Sequence, residues 1–343
     1  GEIVLLVPGD QVEFRLWEGE ITEVLGPEQD VTVQEALVKT NHGVPTRFPS
    51  PALDQAAVLP EAPGPEDFAG REDLRGLPFV TIDGATARDF DDAVFVERRG
   101  KGHRLWVAIA DVAHYVRPGT PLDREAEERG NSYYFPRSVE PMFPERLSNG
   151  LCSLNPGVPR LAMAVRLEVS ADGLPGEFSV FPAVIRSQAR LTYGQVKRAV
   201  LDGDAGERTA LGGLLPMLEE AETLARRMNA RRLARGTLDF DLPEPEILFN
   251  LSGETVDIRP KVRHFGHQII EEFMIAANEA VAEFLSERES PCLYRVHPEP
   301  DAEKLENLFK LLERTRPPDQ PKRPRPLPLF LGCVKRFEYS GKI

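Results

Sequence analysis

Cysteine is scarce in this 343-residue chain: Cys152, Cys292 and Cys333 lie far apart, with no CxxC spacing. That excludes a disulfide scaffold and argues against a thiolate zinc site or a redox dithiol, leaving reduced, packed thiols. Long apolar runs are missing too. No stretch approaches the length needed to cross a bilayer, and the N-terminus lacks the basic-then-apolar pattern of a leader. The six histidines make no HExxH or HxH arrangement. An excess of positive charge is also absent: 42 Lys and Arg face 55 Asp and Glu, for a net charge of −13. An open basic face for non-specific nucleic-acid binding is therefore disfavoured. Phosphate affinity follows local cation density rather than the sum, so a substrate held in an enclosed channel remains compatible. With 41% hydrophobic and 28% charged residues, the expectation is an ordinary globular, cytoplasmic, monomeric protein of about two domains.

Carboxylate is what the chain has in plenty, and one segment concentrates it. TIDGATARDFDDAV, residues 81–94, carries Asp83, Asp89, Asp91 and Asp92. Carboxylates this close repel one another unless cations sit between them, and an oxygen-rich cage suits Mg²⁺ or Mn²⁺. Asp83 follows the apolar run LPFVTI and Asp92 precedes AVFV; both runs read as short buried strands that pin the loop at its two ends. On spacing alone, a solvated acidic turn or a structural calcium loop is an equal competitor, although DxDxDG order and a closing Glu are absent. Arg88, inside the loop, has either an aspartate or a phosphate as its natural partner.

Residues 1–50 alternate apolar runs (EIVLLV, QVEFRLW, GEITEVL, VTVQEALVK) with turn residues, which predicts closely spaced strands of a small barrel. If that barrel is an OB fold of the kind that binds single strands through aromatic and basic residues, Phe14, Arg15, Trp17 and Lys39 are its candidates for nucleic-acid contact, with the core the expected place for Phe14 and core and ligand equal for Trp17. Residues 51–78, rich in Pro, Glu and Asp, read as a linker with a helical turn or two. From Phe79 onward strands and helices mix. LWVAIA should be a central strand covered on both faces, Thr120, Pro121 and Gly130 bound a helix, and RLAMAVRLEV and GEFSVFPAVI are further strands. Helices are predicted over about 214–235, 266–286 and 301–314. In the second of these, an apolar stripe through Ile270, Phe273, Met274, Ala277, Val281, Phe284 and Leu285 places Glu271 at its edge and turns Glu272 away toward solvent. Arg226, Arg227, Arg231, Arg232 and Arg235 on the first helix read as a solvated face, with an RNA-entry surface as the alternative. Both chain ends read as cut: the first methionine is Met142, and FEYSGKI stops without a terminal feature.

Six segments, TIDGATARDFDDA, LWVAIADVAHYV (105–116), SYYFP (132–136), LSNGLCSLNP (147–156), ARLTY (189–193) and IEEFMIAAN (270–278), follow one another in an order that closely resembles the catalytic domain of the ribonuclease II/ribonuclease R family. The resemblance covers roughly residues 50–343. It implies an α+β fold: a mixed-sheet RNB catalytic domain with surrounding helices over 79–343, truncated at its C-terminus, preceded by a partial all-β OB domain of cold-shock type over 1–50. It implies a metal-dependent exoribonuclease that works on single-stranded RNA from the 3′ end and releases nucleoside 5′-monophosphates. Asp83, Asp89, Asp91 and Asp92 fall on the family's acidic quartet. Tyr134 and Phe240 fall on a clamp around the last nucleotides, Tyr193 on a sugar-phosphate contact and Glu271 on a substrate-contacting carboxylate. Tyr133 competes for the Tyr134 role, and the core is the commoner fate of a Phe such as Phe240. His264 and His267 read as structural. Two rival readings are a metal phosphodiesterase acting on DNA and a non-catalytic RNA-binding relative; loss of an aspartate would mark the second, and none is lost.

Overall fold

The computed structural model describes residues 1–13, 15–237, 244–250, 255–260, 262–293, 298 and 300–314. Phe14, Phe240 and Cys333 lie outside the described residues. The chain opens with an antiparallel hairpin, β1 (Glu2–Glu13) and β2 (Leu16–Pro27), consistent with part of an OB-type domain. Trp17 is 60% exposed on it. The fourth apolar run is not a strand, contrary to its alternation; it forms helix α1 (Val31–Asn41). Asp30 caps it by accepting the Thr32 N–H at 2.8 Å, and the Gln-Glu-Ala-Leu core of the run outweighs its β-branched residues. Lys39 is engaged with Glu140 and lies over the Phe135 ring.

Helix α2 (Ser50–Val58) precedes β3 (Glu72–Asp73), β4 (Val80–Asp83), β5 (Asp92–Arg99) and β6 (Gly102–Ala110). Gly100, at φ +57°, makes the tight turn between β5 and β6, a conformation open to glycine at no steric cost. Then come α3 (Val112–Tyr115), α4 (Pro121–Arg129), the short pair β7 (Tyr133–Tyr134) and β8 (Val139–Glu140), and the long strands β9 (Pro159–Val169) and β10 (Pro175–Arg186). Thr120 caps α4, Pro121 begins it and Gly130, at φ +71°, ends it. Strand β11 (Ala189–Thr192) runs into α5 (Tyr193–Val196), followed by α6 (Ala205–Leu211), α7 (Leu215–Ala234), the hairpin β12 (Pro245–Phe249) with β13 (Thr255–Pro260), α8 (Phe265–Glu287) and α9 (Ala302–Arg314).

Seven strands form one sheet in the order β11-β4-β5-β6-β9-β10-β3. The outermost pairs at each edge, β11 with β4 and β10 with β3, are parallel, and the inner pairs are antiparallel. The sheet is therefore mixed, with β6 at its centre. Leu105, Trp106, Val107 and Ala108 of β6 are all buried, as a strand covered on both faces requires. Helix α7 lies over β5, and α8 over β6, β9 and β10. One continuous core links them to α2 and to the 147–154 segment. The polar residues of LWVAIADVAHYV tie the start of the domain to the end of β6. Arg71 donates to Asp111 at 2.6 Å, and His114 Nε2 lies 2.9 Å from Asp67.

The phase of α8 differs from the sequence reading. Ile269, Ile270, Glu272, Phe273, Ala276, Ala277 and Ala280 make the buried face, so Glu272 points inward and is only 2% exposed, while Glu271 is 37% exposed. Small alanines, easily overlooked in an apolar stripe, let α8 sit close to α7. Between the helices, the Glu272 carboxylate accepts from Asn229 at 2.9 Å and from Arg232 Nε and Nη2 at 3.0 and 2.8 Å. Burying that carboxylate is tolerable because it is paired and hydrogen-bonded. The other arginines of α7 are mostly paired as well: Arg226 with Glu222, Arg231 with Asp172, Arg235 with Glu279. The solvated-face reading of that cluster therefore fits better than an RNA-entry surface. We expect Glu272→Ala to cost about 3 kcal/mol, because it removes the buried carboxylate that accepts from Asn229 and Arg232 and leaves that cation only the longer contact with Glu271. Urea unfolding at neutral pH measures this loss, and a midpoint equal to wild type would remove the pair from the account of the fold.

Candidate active site

Strand register assembles the site. Asp83 is the last residue of β4 and Asp92 the first of β5, so adjacent antiparallel strands deliver both carboxylates to one end of the sheet. On the other flank of β4, parallel pairing sets Thr192 of β11 opposite Asp83, which places Tyr193 beside the acids as the chain turns into α5. Residues 84–91 form the loop between the strands. The Ala110 N–H, at the end of β6, donates to the Asp91 carbonyl at 2.9 Å, and Arg190 Nη2 donates to the carbonyls of Gly84 and Ala85 at 2.7 Å each.

The electrostatics of this cluster are those of negative charge held without enough positive charge. Asp83 Oδ2 and Asp92 Oδ2 are buried and accept no hydrogen bond. Burial first, and the neighbouring carboxylates second, push Asp83 up to about 6 and Asp92 up to about 7; Arg190 pulls Asp83 part of the way back. Asp91, on the open side of the loop, is raised by its surroundings and by Asp89. Such shifts mark groups that protonate when no cation is bound. Among the described residues no three Asp, Glu, His or Cys side chains converge tightly enough to make a full protein coordination set. Mg²⁺ does not require one, because it keeps waters and takes substrate phosphate oxygens alongside one or two carboxylates. The unsatisfied buried oxygens and all-oxygen donors fit such an ion.

The other sequence candidates distribute as follows. The Tyr134 hydroxyl donates to Asp89 Oδ2 at 2.9 Å while the residue is 67% exposed, which gives an open aromatic face beside the acids. Its phenol is pushed up to about 12, by burial of the hydroxyl end and the Asp89 contact. Tyr133 has no such contact with the loop. Burial, Asp83 and Asp92 push Tyr193 up to about 12 as well. The Glu271 carboxylate accepts from Arg263 at 2.5 Å and from Arg232 at 3.4 Å. Asn278, two turns further along α8, is exposed. Arg88 pairs with none of the aspartates. Its exposed side chain lines a cavity of about 610 Å³ bounded also by Phe90, Arg146, Asn149 and Asn155. Cys152 is buried behind the loop with its thiol pushed up to about 12, an inert group.

Two neighbours of the site escaped the sequence reading. Arg190 sits in the ARLTY motif, but its grip on the acidic loop depends on β11 lying parallel to β4, which no local pattern announces. His267 stacks on the Tyr193 ring, with centroids 4.3 Å apart and planes 25° from parallel. The helix start makes this possible: a Cβ on Gly266 would stand 2.8 Å from the Tyr193 carbonyl oxygen, so only glycine lets α8 approach so closely. The one-turn spacing of His264 and His267 was visible in the sequence, whereas the aromatic partner was not.

Comparison with known proteins agrees with this architecture. Ribonuclease R of Vibrio cholerae is 45% identical over 288 residues, 84% of this chain and 35% of the relative. Ribonuclease R of Escherichia coli is 44% identical over 295 residues, 86% and 36% respectively. The chain thus spans about a third of the length of these curated relatives. The structure of Mycoplasma genitalium RNase R in complex with ribose methylated single-stranded RNA superposes with a TM-score of 0.80 at 31% identity, covering 87% of this chain and 46% of that one. The RNB domain model matches residues 71–328, from just before β3 to beyond α9. A mixed sheet with four aspartates in one loop at its end, matched along most of its length by these proteins, places the chain in the RNB domain family.

Proposed function

We propose that this chain is the catalytic part of a hydrolytic, metal-dependent exoribonuclease. It degrades single-stranded RNA from the 3′ end, processively, and releases nucleoside 5′-monophosphates as a monomer in the cytoplasm. The observation that carries this reading is the pair of buried, unsatisfied carboxylate oxygens on Asp83 and Asp92, whose negative charge calls for a cation. The Mycoplasma relative was captured with single-stranded RNA, which supports RNA as the polymer. Mg²⁺, or Mn²⁺ in its place, supplies when bound a lowered pKa for water and charge neutralisation at the phosphate. Asp83 and Asp92, on rigid strand ends, would be its direct ligands. Asp89 would share the ion, and Asp91 would position a second ion or its water. Tyr134 offers a stacking face to a base near the 3′ end, with Phe240 as the other jaw of the clamp. Tyr193 and Glu271 hold the terminal sugar, and Arg88 takes a phosphate. Tyr193 lies beside the acids, and a hydroxyl-reading contact there favours RNA over DNA, because a missing 2′-OH leaves polar groups unpaired.

An oligoribonucleotide labelled at either end, digested with and without EDTA, tests the whole reading. Mononucleotides from the 3′ label only in the presence of metal are expected, and equal cleavage of a DNA oligomer would overturn it. Asp91→Asn keeps shape but loses charge; hydrolysis is expected to stop while RNA still binds, as measured by filter retention. Tyr134→Ala is expected to lengthen the residual fragment rather than stop cleavage, since stacking is worth about 1–3 kcal/mol per base.

The charge state adds a measurement on the metal-free chain. Folded pKa values of about 6 for Asp83 and about 7 for Asp92 lie above the ordinary aspartate value of 3.8. The native state thus holds protons that the unfolded chain has lost, and its stability falls as pH rises through that window. Metal displaces those protons, so its binding releases them near pH 6 and tightens toward neutrality. Thermal unfolding in EDTA should fall from about pH 5 to about pH 8, and added Mg²⁺ should restore more stability at the upper end than at the lower. A flat profile in EDTA would remove the charge conflict.

A further inference from the structure

The acidic loop is held from behind by one side chain of the LSNGLCSLNP segment to which the sequence reading gives no role. Ser153 is fully buried, in the segment that follows Cys152. Its hydroxyl donates to the Arg88 carbonyl at 2.8 Å and accepts from the Phe90 N–H at 3.0 Å. A single Oγ thereby satisfies the peptide groups on both sides of Asp89. The neighbouring Leu154 N–H donates to the Phe90 carbonyl at 2.8 Å, and the buried Arg160 donates to the Ser153 carbonyl at 2.9 Å, which fixes the serine itself. The consequence is a sorting of side chains. Asp89 leaves the strap on one side and meets Tyr134, while Arg88 and Phe90 leave it on the other and line the cavity. Turning either peptide would break a buried hydrogen bond and move the carboxylate, and leaving such a group unsatisfied is costly.

We propose that Ser153 is a positioning residue for the acidic loop: its hydroxyl bridge across Arg88 and Phe90 holds Asp89 toward the other carboxylates and Arg88 into the adjacent cavity. This rests on the reading of the loop as a divalent-cation site, and it adds a residue that neither touches the ion nor carries charge. Groups that orient metal ligands from behind commonly change metal affinity by about 10–100-fold, although only one donor and one acceptor are involved.

Mn²⁺ binding to the 343-residue chain, followed by electron paramagnetic resonance without RNA, separates the possibilities. Ser153→Ala is expected to weaken Mn²⁺ binding about 10–100-fold, with circular dichroism unchanged. Asp89→Asn weakens it as well, and adding Ser153→Ala to Asp89→Asn should then change little, because the serine acts through that aspartate. A serine that merely supports the fold would lower the unfolding midpoint, leave the Mn²⁺ titration untouched and add its effect in full to the double variant; that outcome overturns the proposal. Should Ser153→Ala fail to fold, Ser153→Cys fills the same space with weaker hydrogen bonds. Weakened Mn²⁺ binding is expected of it, and wild-type binding would again overturn the assignment. A wild-type chain that binds no Mn²⁺ at all would remove the cation-site reading itself, and the role of Ser153 with it.

Discussion

The repulsion among Asp83, Asp89, Asp91 and Asp92 is the constraint on which the rest of this structure turns. Left to themselves, four carboxylates in ten residues would spread into water. Here the ends of β4 and β5 are fixed in a sheet whose inner strands are buried on both faces, so two of the acids are carried inward whatever their preference. The hydrophobic core supplies the free energy that holds them there, and the raised proton affinities are its local cost. That tension explains why so many neighbours act on the loop from the sides. Arg190 holds its first carbonyls, the end of β6 holds its last, and Ser153 its middle. None of these competes for the carboxylate oxygens themselves, apart from the single Tyr134 hydroxyl on Asp89.

Much of the fold was legible because the relevant signals are local. Apolar runs ending on Asp83 and starting at Asp92 announced β4 and β5. Thr120, Pro121 and Gly130 announced α4 at both ends. The even hydrophobicity of LWVAIA announced a central strand, and β6 is the fourth of seven. Misreadings arose where a non-local partner decided the matter. Alternation in VTVQEALVK suggested a strand, yet a capped helix formed because Asp30 supplied the missing acceptor. Glu272 was turned to solvent by a stripe that left out Ala276 and Ala280. Alanines at 276 and 280 belong to the buried face, and the partner that permits a buried carboxylate there, Arg232, lies forty residues earlier on α7.

The site itself divides along the same line. Which residues carry charge was plain from composition within the loop; the tyrosines came from resemblance, and Glu271 from helical phase and resemblance together. How they meet was not accessible. Parallel pairing of β11 with β4 brings Tyr193 and Arg190 to the acids, and a close approach at Gly266 brings His267 onto Tyr193. Both are contacts between elements, with no periodic trace in either segment alone. The net charge of −13 was similarly uninformative about ligand, since the acidic excess includes the four clustered aspartates, whose charge a bound cation would offset.

The parallel pair at the sheet edge also governs when this site can exist. Strands β4 and β11 are separated by on the order of a hundred residues, and closing so long a loop costs entropy before any contact repays it. Long-range parallel pairing of this kind is slow to form. A chain emerging from the ribosome completes its acidic loop well before it has Tyr193, Arg190 or α8, and domains are made from the N-terminal side. The carboxylates are therefore synthesised early and become a finished site late. During that interval the acidic loop lacks the strand that flanks Asp83 and the arginine that holds its first carbonyls.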